Sequence, residues 1–375
     1  MIYLDNAATS PVHPEILSSY QELLANSFAN SESIYDLGFK VKRQLEKARQ
    51  IIAGFFNVKS NDLLFTSGAS EANSMAIKGY AFGNRSKGNH LITSKIEHSS
   101  VLNAFEQLED LFGFEVTYLD VSKEGLIDLK QLKDSLRNDT ILVSIMSVNN
   151  EIGTIQDLAT ISQVIRQHSK AVFHVDCVQA LGKVDLDFSL FDMASFSAHK
   201  IHGLKGSGIL YRKSHLVIEP LIHGGSQEYG LRGGTSNALV HILFAKTIRI
   251  ALENKERHAQ RIKELKQYMV KELSQMKNFV IHTPVNSSDY IVSFSSQSVP
   301  SEIMLNGLVA KGIYVSARST CHSRDDSYSY VLEAIGASEL EKKTVIRLSL
   351  SYLTTKEDID KVLETIRELV NYVRS

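Results

Sequence analysis

The sequence predicts an α/β protein: a mainly parallel sheet covered by helices on both faces, joined to a smaller α+β part. Two observations carry this. Short apolar, β-rich runs alternate with amphipathic helical stretches through the first two thirds of the 375 residues, the pattern of strands buried on both faces by crossover helices. After a long charged helical stretch, short strands return with helices between them, and the chain closes on the amphipathic "TKEDIDKVLETIRELVNYV".

In chain order, "DLLFT" reads as a strand followed by a helix from about Ser70, and "HLITS" as a strand followed by a helix from about His98. "FEVTYL", "ILVSIMSV" and "AVFHVD" follow, then "MASFS" and "GILYR", each rich in strand-favouring residues. From about Ala238 to Lys277 the pattern is helical and strongly charged, which predicts one long connecting helix. The strands "IVSFS", "GIYVSA" and "VIRLSLS" come after it. The expected division is a large domain over residues 15–255 and a small domain made of 1–14 and 256–375. No repeat, low-complexity tract or Pro/Gly-rich linker interrupts the chain.

Lys and Arg number 41 against 42 Asp and Glu, a formal net charge of -1. That balance gives no broad field to attract nucleic acid or an anionic membrane. Two cysteines cannot build a disulfide framework, so a reducing, cytoplasmic setting is expected. The opening "MIYLDNAATSPVHP" lacks the apolar run of a signal peptide, and no segment nears the roughly 20 apolar residues that span a bilayer.

Several polar residues stand where apolar runs end. Lys200, in "SAHKIHGLKGSG", follows "MASFS", the place where α/β sheets bind ligands. It reads either as a solvated loop lysine or as a Schiff-base amine, with Ser197 and His199 left to hold an anion. Asp176 closes "AVFHVD" and is costly to bury unless a cation meets it. It reads as a helix N-cap or as the partner of a protonated pyridine nitrogen, as in pyridoxal phosphate (PLP) enzymes. Gln179, one helical turn on, could bond the same ligand, whereas Cys177 and His174 read as packed structural residues.

"FTSGASEAN" places Gly68 before a helix opening at Ala69 and Ser70, where free N–H groups and the helix dipole can cradle an anion. His98 heads a helix and reads as a structural histidine or as a ring stacked on a cofactor and able to move protons. Asn149 and Asn150 cap a turn or orient substrate. Arg347, in "VIRLSLS", needs an anionic partner, either a ligand carboxylate or an internal salt bridge.

Together, "YLDNAAT", "FTSGASE", "EHSSV", "VNNEIG", "HVDCVQALGK", "SFSAHKIHGLKG", "HGGSQEYGLRGGT" and "IRLSLS" resemble the NifS-type cysteine desulfurases, PLP-dependent members of the class V aminotransferase family with fold type I. The resemblance runs from residue 3 to residue 354 or so. It implies that Lys200 links covalently to PLP, Asp176 meets the pyridine nitrogen, Gln179 the ring oxygen, and His98 stacks on the ring. Ala69, Ser70, Ser197 and His199 match phosphate-holding positions. Thr235 matches the residue that reaches the phosphate in the neighbouring subunit, which implies a homodimer. Asn150 and Arg347 match substrate positions, Arg347 taking the carboxylate of L-cysteine.

Cys321, in "YVSARSTCHSR", matches the cysteine that captures the substrate's sulfur as a persulfide, leaving L-alanine. Arg318, His322 and Arg324 nearby favour the thiolate over a reference pKa of roughly 8.5, while Asp325 and Asp326 oppose it. Few residues between about Ser316 and Ser329 could anchor a core, so the resemblance implies a long mobile loop that delivers sulfur to an acceptor protein, a thiouridine synthase or an iron–sulfur scaffold. Tyr35, Arg318, Thr320 and Ser351 depart from the family's usual residues. A selenocysteine lyase or related PLP lyase, and a non-catalytic sulfur-trafficking scaffold, are the alternative readings.

Overall fold

The computed structural model describes residues 1–317 and 329–374. Seven strands build the central sheet: β2 (Leu63–Thr66), β3 (His90–Ser94), β4 (Glu115–Leu119), β5 (Thr140–Ser144), β6 (Val172–Asp176), β7 (Met193–Ser197) and β8 (Gly208–Arg212). Their spatial order is β2-β8-β7-β6-β5-β3-β4. Pairing is parallel from β7 through β4, and β8 runs antiparallel to both neighbours. Every residue of β2, β3, β5, β6, β7 and β8 is buried, as strands covered on both faces must be. Only β4, at the edge, is largely half-exposed.

Two apolar layers enclose this sheet. Ile52 and Phe56 from the helix Asp36–Phe56, with Phe244 and Ile248 from the helix Ala238–Glu253, pack with Phe65, Phe173 and Phe196 on one face. Val101, Phe105 and Leu108 from the helix Ser99–Phe112 pack with Leu91, Leu142 and Met193 on the other. Burial of such large side chains is worth roughly 1.5–3 kcal/mol each, which fixes the sheet as the rigid platform for the polar strand ends.

A second sheet is antiparallel, β9 (Phe279–Ile281), β10 (Ile291–Ser296) and β12 (Val345–Ser349), in the order β12-β10-β9. Its core is separate, with Ile262 and Met269 from the helix Lys255–Ser274 meeting Ile359 and Leu363 from the helix Lys356–Arg374. The amino terminus joins this unit: β1 (Ile2–Tyr3) pairs parallel with β11 (Ile313–Tyr314), and Leu4 lies in the same core. Asn6 Nδ2 donates to the Ser349 carbonyl at 2.8 Å. A mainly parallel α/β sheet with a smaller α+β part is therefore the fold the sequence predicts.

Three local expectations change. The helix expected over 238–277 is two, Ala238–Glu253 and Lys255–Ser274. At the junction, Asn254 turns its side chain back onto the Ile250 carbonyl at 2.8 Å, competing with the backbone ladder as short polar side chains do. The strand expected through "ILVSIMSV" ends at Ser144, because Asn149 organises a turn: its Oδ1 accepts from the N–H groups of Glu151 and Ile152, both at 2.9 Å. β9 has no counterpart among the expected strands.

The segment "HGGSQEYGLRGGT" is pinned to the platform by charge. Arg49 Nη1 donates to Glu228 Oε2 at 2.7 Å with both side chains almost wholly buried, and Glu228 Oε2 also accepts from the Phe65 N–H at 2.8 Å. Glu228 and Tyr229 both hold positive φ, 48° and 59°, a conformation that costs non-glycine residues. A buried pair that is expensive to break keeps them there.

Candidate active site

The parallel strands of the central sheet end along one edge, and β5, β6 and β7 place Ser144, Asp176 and Ser197 there. A cleft of about 420 Å³ opens above that edge. Such a crevice outside the carboxyl ends of strands is where α/β sheets take ligands.

Asp176 forms part of its wall and is 5 % exposed. Its Oδ1 accepts from the Val178 N–H at 2.9 Å, as the turn-capping reading requires. Its Oδ2 accepts from Asn73 Nδ2, also at 2.9 Å. Neither partner is a full cation, so a carboxylate taken from water is left to meet a positive group in the cleft. Asn73 Nδ2 in turn donates to Ser100 Oγ at 2.9 Å, tying Asp176 to the turn after His98.

Lys200 sits in the 3-10 turn Ala198–Lys200 directly after β7. Its Nζ donates to the carbonyls of Ala7 and Ala8 at 2.6 and 2.8 Å. Gln179 Nε2 donates to the same Ala7 carbonyl at 2.9 Å, and the Ala7 N–H donates to Ser349 Oγ at 2.8 Å. The "NAAT" segment thus bridges β12 to the lysine.

The helix-opening turn that the sequence suggests for an anion lines the same cleft. The helix opening at Ala69 follows Gly68, and its first N–H groups have no intrahelical acceptor. Gly208, heading β8, passes so near that a Cβ there would lie 2.5 Å from the Gly68 carbonyl carbon. Only glycine allows this approach, which sets the cradle over the sheet edge. Ser197 and His199 line the same cleft. His199 Nδ1 lies 3.1 Å from Thr9 Oγ1. Burial, then the positive charges of Lys200, Lys205 and Lys183, lowers its pKa to about 4, so the ring is neutral near pH 7.

His98 caps the helix Ser99–Phe112, its Nδ1 accepting from the Ser100 N–H at 3.1 Å, and its ring lines the cleft. Arg347, 4 % exposed on β12, makes the internal salt bridge that was one reading of its charge. Nη2 donates to Asp5 at 2.8 Å and Nη1 to the Asn150 carbonyl at 2.9 Å, while its buried Nε has no hydrogen-bond partner and the side chain lines the cleft. Asn150 Oδ1 and Asn73 Oδ1 are likewise buried without a partner. Buried polar atoms left in this state are costly.

Ala69, Ser70, His98, Asn150, Asp176, Gln179, Ser197, His199, Lys200 and Arg347 therefore line one cleft. Thr235 does not; it is exposed, three residues beyond Arg232, whose Nε donates to Glu71 Oε1 at 2.8 Å. Cys321, with Arg318, His322 and Arg324, lies outside the described residues. Cys177 and His174 are structural: both are fully buried, burial raises the thiol pKa well above its usual value, and His174 bridges Ser144 Oγ and Ser195 Oγ at 2.8 and 3.0 Å. Sequence reasoning missed Asn73, Asp5 and the Ala7 and Ala8 carbonyls. An asparagine within a helix, a poor helix former, was the signal available for Asn73.

Glu97, next to His98, is a further buried acid. Its Oε1 accepts from Ser94 Oγ at 2.6 Å and the Met146 N–H at 3.0 Å. Burial outweighs these bonds and, with Asp176 adding repulsion, raises the pKa from 4.5 to about 8. The folded state then holds a proton that the unfolded chain releases between those values. This contribution to stability is fully present below pH 4.5 and is lost as the pH rises through about 8. Glu97→Gln keeps the shape without the titration, so its urea midpoint should gain on the unmodified protein from about pH 5 to 8. A pH-independent difference would contradict a neutral Glu97.

The fold and the cleft define an enzyme built on the fold-type I plan. The chain belongs to the aminotransferase class-V family, whose pattern matches residues 2–362. It is 39 % identical over 378 aligned positions to the cysteine desulfurase IscS of Dictyoglomus turgidum, covering 100 % of this chain and 95 % of the relative. A similar IscS from Methanosarcina thermophila is 38 % identical, covering 100 % and 93 %. Among solved structures, a NifS-like protein superimposes with a TM-score of 0.93 at 34 % identity over 99 % of both chains. SspA in complex with cysteine superimposes with a TM-score of 0.83 at 34 % identity, over 95 % of this chain and 100 % of that one. Within the family, these place the chain among the NifS-type cysteine desulfurases.

Proposed function

We propose that this chain is a PLP-dependent desulfurase that converts L-cysteine to L-alanine and carries the sulfur as a persulfide on Cys321. The observation that carries the reading is the cleft itself, in which an amine, Lys200, an acid, Asp176, and an arginine, Arg347, line one space beside a helix-opening anion cradle. The residues fit the cofactor: the cradle at Ala69 and Ser70, with Ser197 and His199, suits its phosphate, and Asp176 suits its ring nitrogen. In this reading Gln179 meets the ring oxygen and His98 the ring face.

When bound, PLP supplies an electron sink that weakens the bonds around the substrate's Cα. Asp176 keeps a proton on the ring nitrogen, because a carboxylate so little exposed strongly favours a cation beside it. Lys200 holds the cofactor and moves the proton at the substrate Cα. Arg347 orients the L-cysteine carboxylate through its planar fork, sharing its charge with Asp5. The Cys321 thiolate attacks the substrate sulfur; the S–S bond forms as the C–S bond breaks, and the three-carbon product takes up protons to become alanine.

Residues 15–255 form the cofactor-binding domain in this reading, and 1–14 with 256–375 the domain that carries Cys321; the small sheet's own core supports the division. The protein works as a homodimer in which Thr235 reaches the partner's cofactor phosphate. It passes sulfur to an acceptor protein, a thiouridine synthase or an iron–sulfur scaffold, in the cytoplasm. No helix among the described residues is long and apolar enough to cross a membrane.

Turnover of L-cysteine and L-selenocysteine, each with and without Cys321→Ala, tests this reading. The variant should lose cysteine desulfuration by about 10³-fold or more, as expected for removal of a nucleophile, and keep most selenocysteine activity. Equal retention on both substrates would favour a selenocysteine lyase, and failure to take up PLP a non-catalytic scaffold.

A further inference from the structure

Lys200 lines two cavities. The second, of about 390 Å³, lies between the amino-terminal segment, the Gly182–Lys183 turn, the junction of the helices Ala238–Glu253 and Lys255–Ser274, and the segment Leu350–Tyr352. Its charged lining has a single sign. Lys183, Lys255, Arg257 and Arg261 join Lys200, and no aspartate or glutamate lines it among the described residues. Lys255 is paired with Asp185 outside the lining, and Arg261 donates to the Thr354 carbonyl. Lys183 donates to Gln179 Oε1 at 3.0 Å and stands 5.6 Å from the centre of the Tyr290 ring.

Like charges gathered around one cavity repel one another, and those partly withdrawn from solvent, such as Lys183, also lose hydration. Lys183 registers this: burial, then Lys200 and Arg347, pushes its pKa down to about 7. An anion in the cavity would reverse each of these costs. The remaining wall is aromatic, with Tyr352 packed between His202 and His258 at ring-centroid distances of 4.6 and 5.2 Å. Guanidinium forks, an ammonium and imidazoles are the donors that recognise tetrahedral oxyanions, and the volume exceeds what one such ion fills.

We infer that this second cavity is a binding site for a doubly charged tetrahedral oxyanion, free or as a phosphate ester, held by Lys183, Arg257 and Arg261. The site shares Lys200 with the catalytic cleft and reaches it again through the Lys183–Gln179 hydrogen bond, so occupancy is sensed at the lysine and glutamine assigned to the cofactor.

Calorimetric titration of the PLP-saturated protein tests this, with inorganic phosphate, sulfate and AMP as probes at an ionic strength held constant with chloride. Saturation with PLP fills the proposed cofactor cradle, so phosphate cannot report on that position. One saturable site per chain is expected, weakened about tenfold by Arg257→Gln, which is exposed, and by Lys183→Gln. Tighter binding of AMP than of phosphate would identify an ester as the occupant; the reverse order, a free ion. No saturable heat with any probe, or equal affinities in both variants and the unmodified protein, would overturn the inference. Failure to take up PLP would count against the proposed function alone, since the two variants still separate this cavity from the cradle.

Discussion

Lys200→Ala is expected to abolish desulfuration while leaving a folded protein. The ammonium makes hydrogen bonds to two backbone carbonyls, Ala7 and Ala8. Both lie at the wall of the cleft, where water can replace a lost donor, so the stability cost should stay at about 1–3 kcal/mol for the two bonds. The chemical cost is far larger. Among the described residues that line the cleft the other amine is Lys205, which is exposed in the following loop and not at the strand end; Lys183 reaches Gln179 from the neighbouring cavity and does not line the cleft. Loss of both the covalent anchor and the proton carrier should lower alanine formation by about 10³-fold or more. Alanine release from L-cysteine, measured beside the thermal midpoint, checks it; activity within tenfold of the unmodified enzyme would remove Lys200 from its assigned role.

The second large effect is expected of Asp176→Asn. The substitution is nearly isosteric, and the structure can absorb it. Asn73, which donates to Asp176 Oδ2, can turn its amide over to present Oδ1 to the new NH2 group, at the cost of its own donation to Ser100 Oγ. The Val178 N–H keeps an acceptor. What is lost, in the proposed reading, is the negative charge beside the ring nitrogen. Removing one preorganised electrostatic partner of a reacting centre costs about 10²–10³ in kcat, and weaker PLP retention should accompany it. Steady-state kcat at saturating PLP checks this. An unchanged kcat would mean that Asp176 is only a turn cap, the bland alternative its sequence context allowed.

Much of this site could be read before any coordinates, for a physical reason. Strands buried on both faces are written in apolar residues, so the polar residue that ends one stands out; Asp176 and Lys200 were legible this way. Gly68 before a helix start was legible because turn chemistry is local. What escaped depends on distant parts of the chain. Asp5 meets Arg347 across 342 positions, and nothing near either residue announces the pair. Ala7 and Ala8 act through carbonyls, which have no side-chain signature. Asn73 carries a signal, a weak helix former inside a helix, but its meaning depends on Asp176 lying beside it. The break at Asn254 turned on one side chain bonding back to Ile250, too fine a competition for periodicity to register. The cofactor and the sulfur-carrying role of Cys321 came from resemblance to a family and not from spacing.

The central claim is that a bound cofactor in this cleft frees sulfur for capture by Cys321. Mass spectrometry of the PLP-saturated protein after brief exposure to L-cysteine, digested under non-reducing conditions, tests it most directly. The peptide bearing Cys321 should gain the mass of one sulfur atom, and the same peptide from Lys200→Ala should not. Sulfur found on Cys177 instead, or gained equally by the Lys200→Ala protein, would contradict the account.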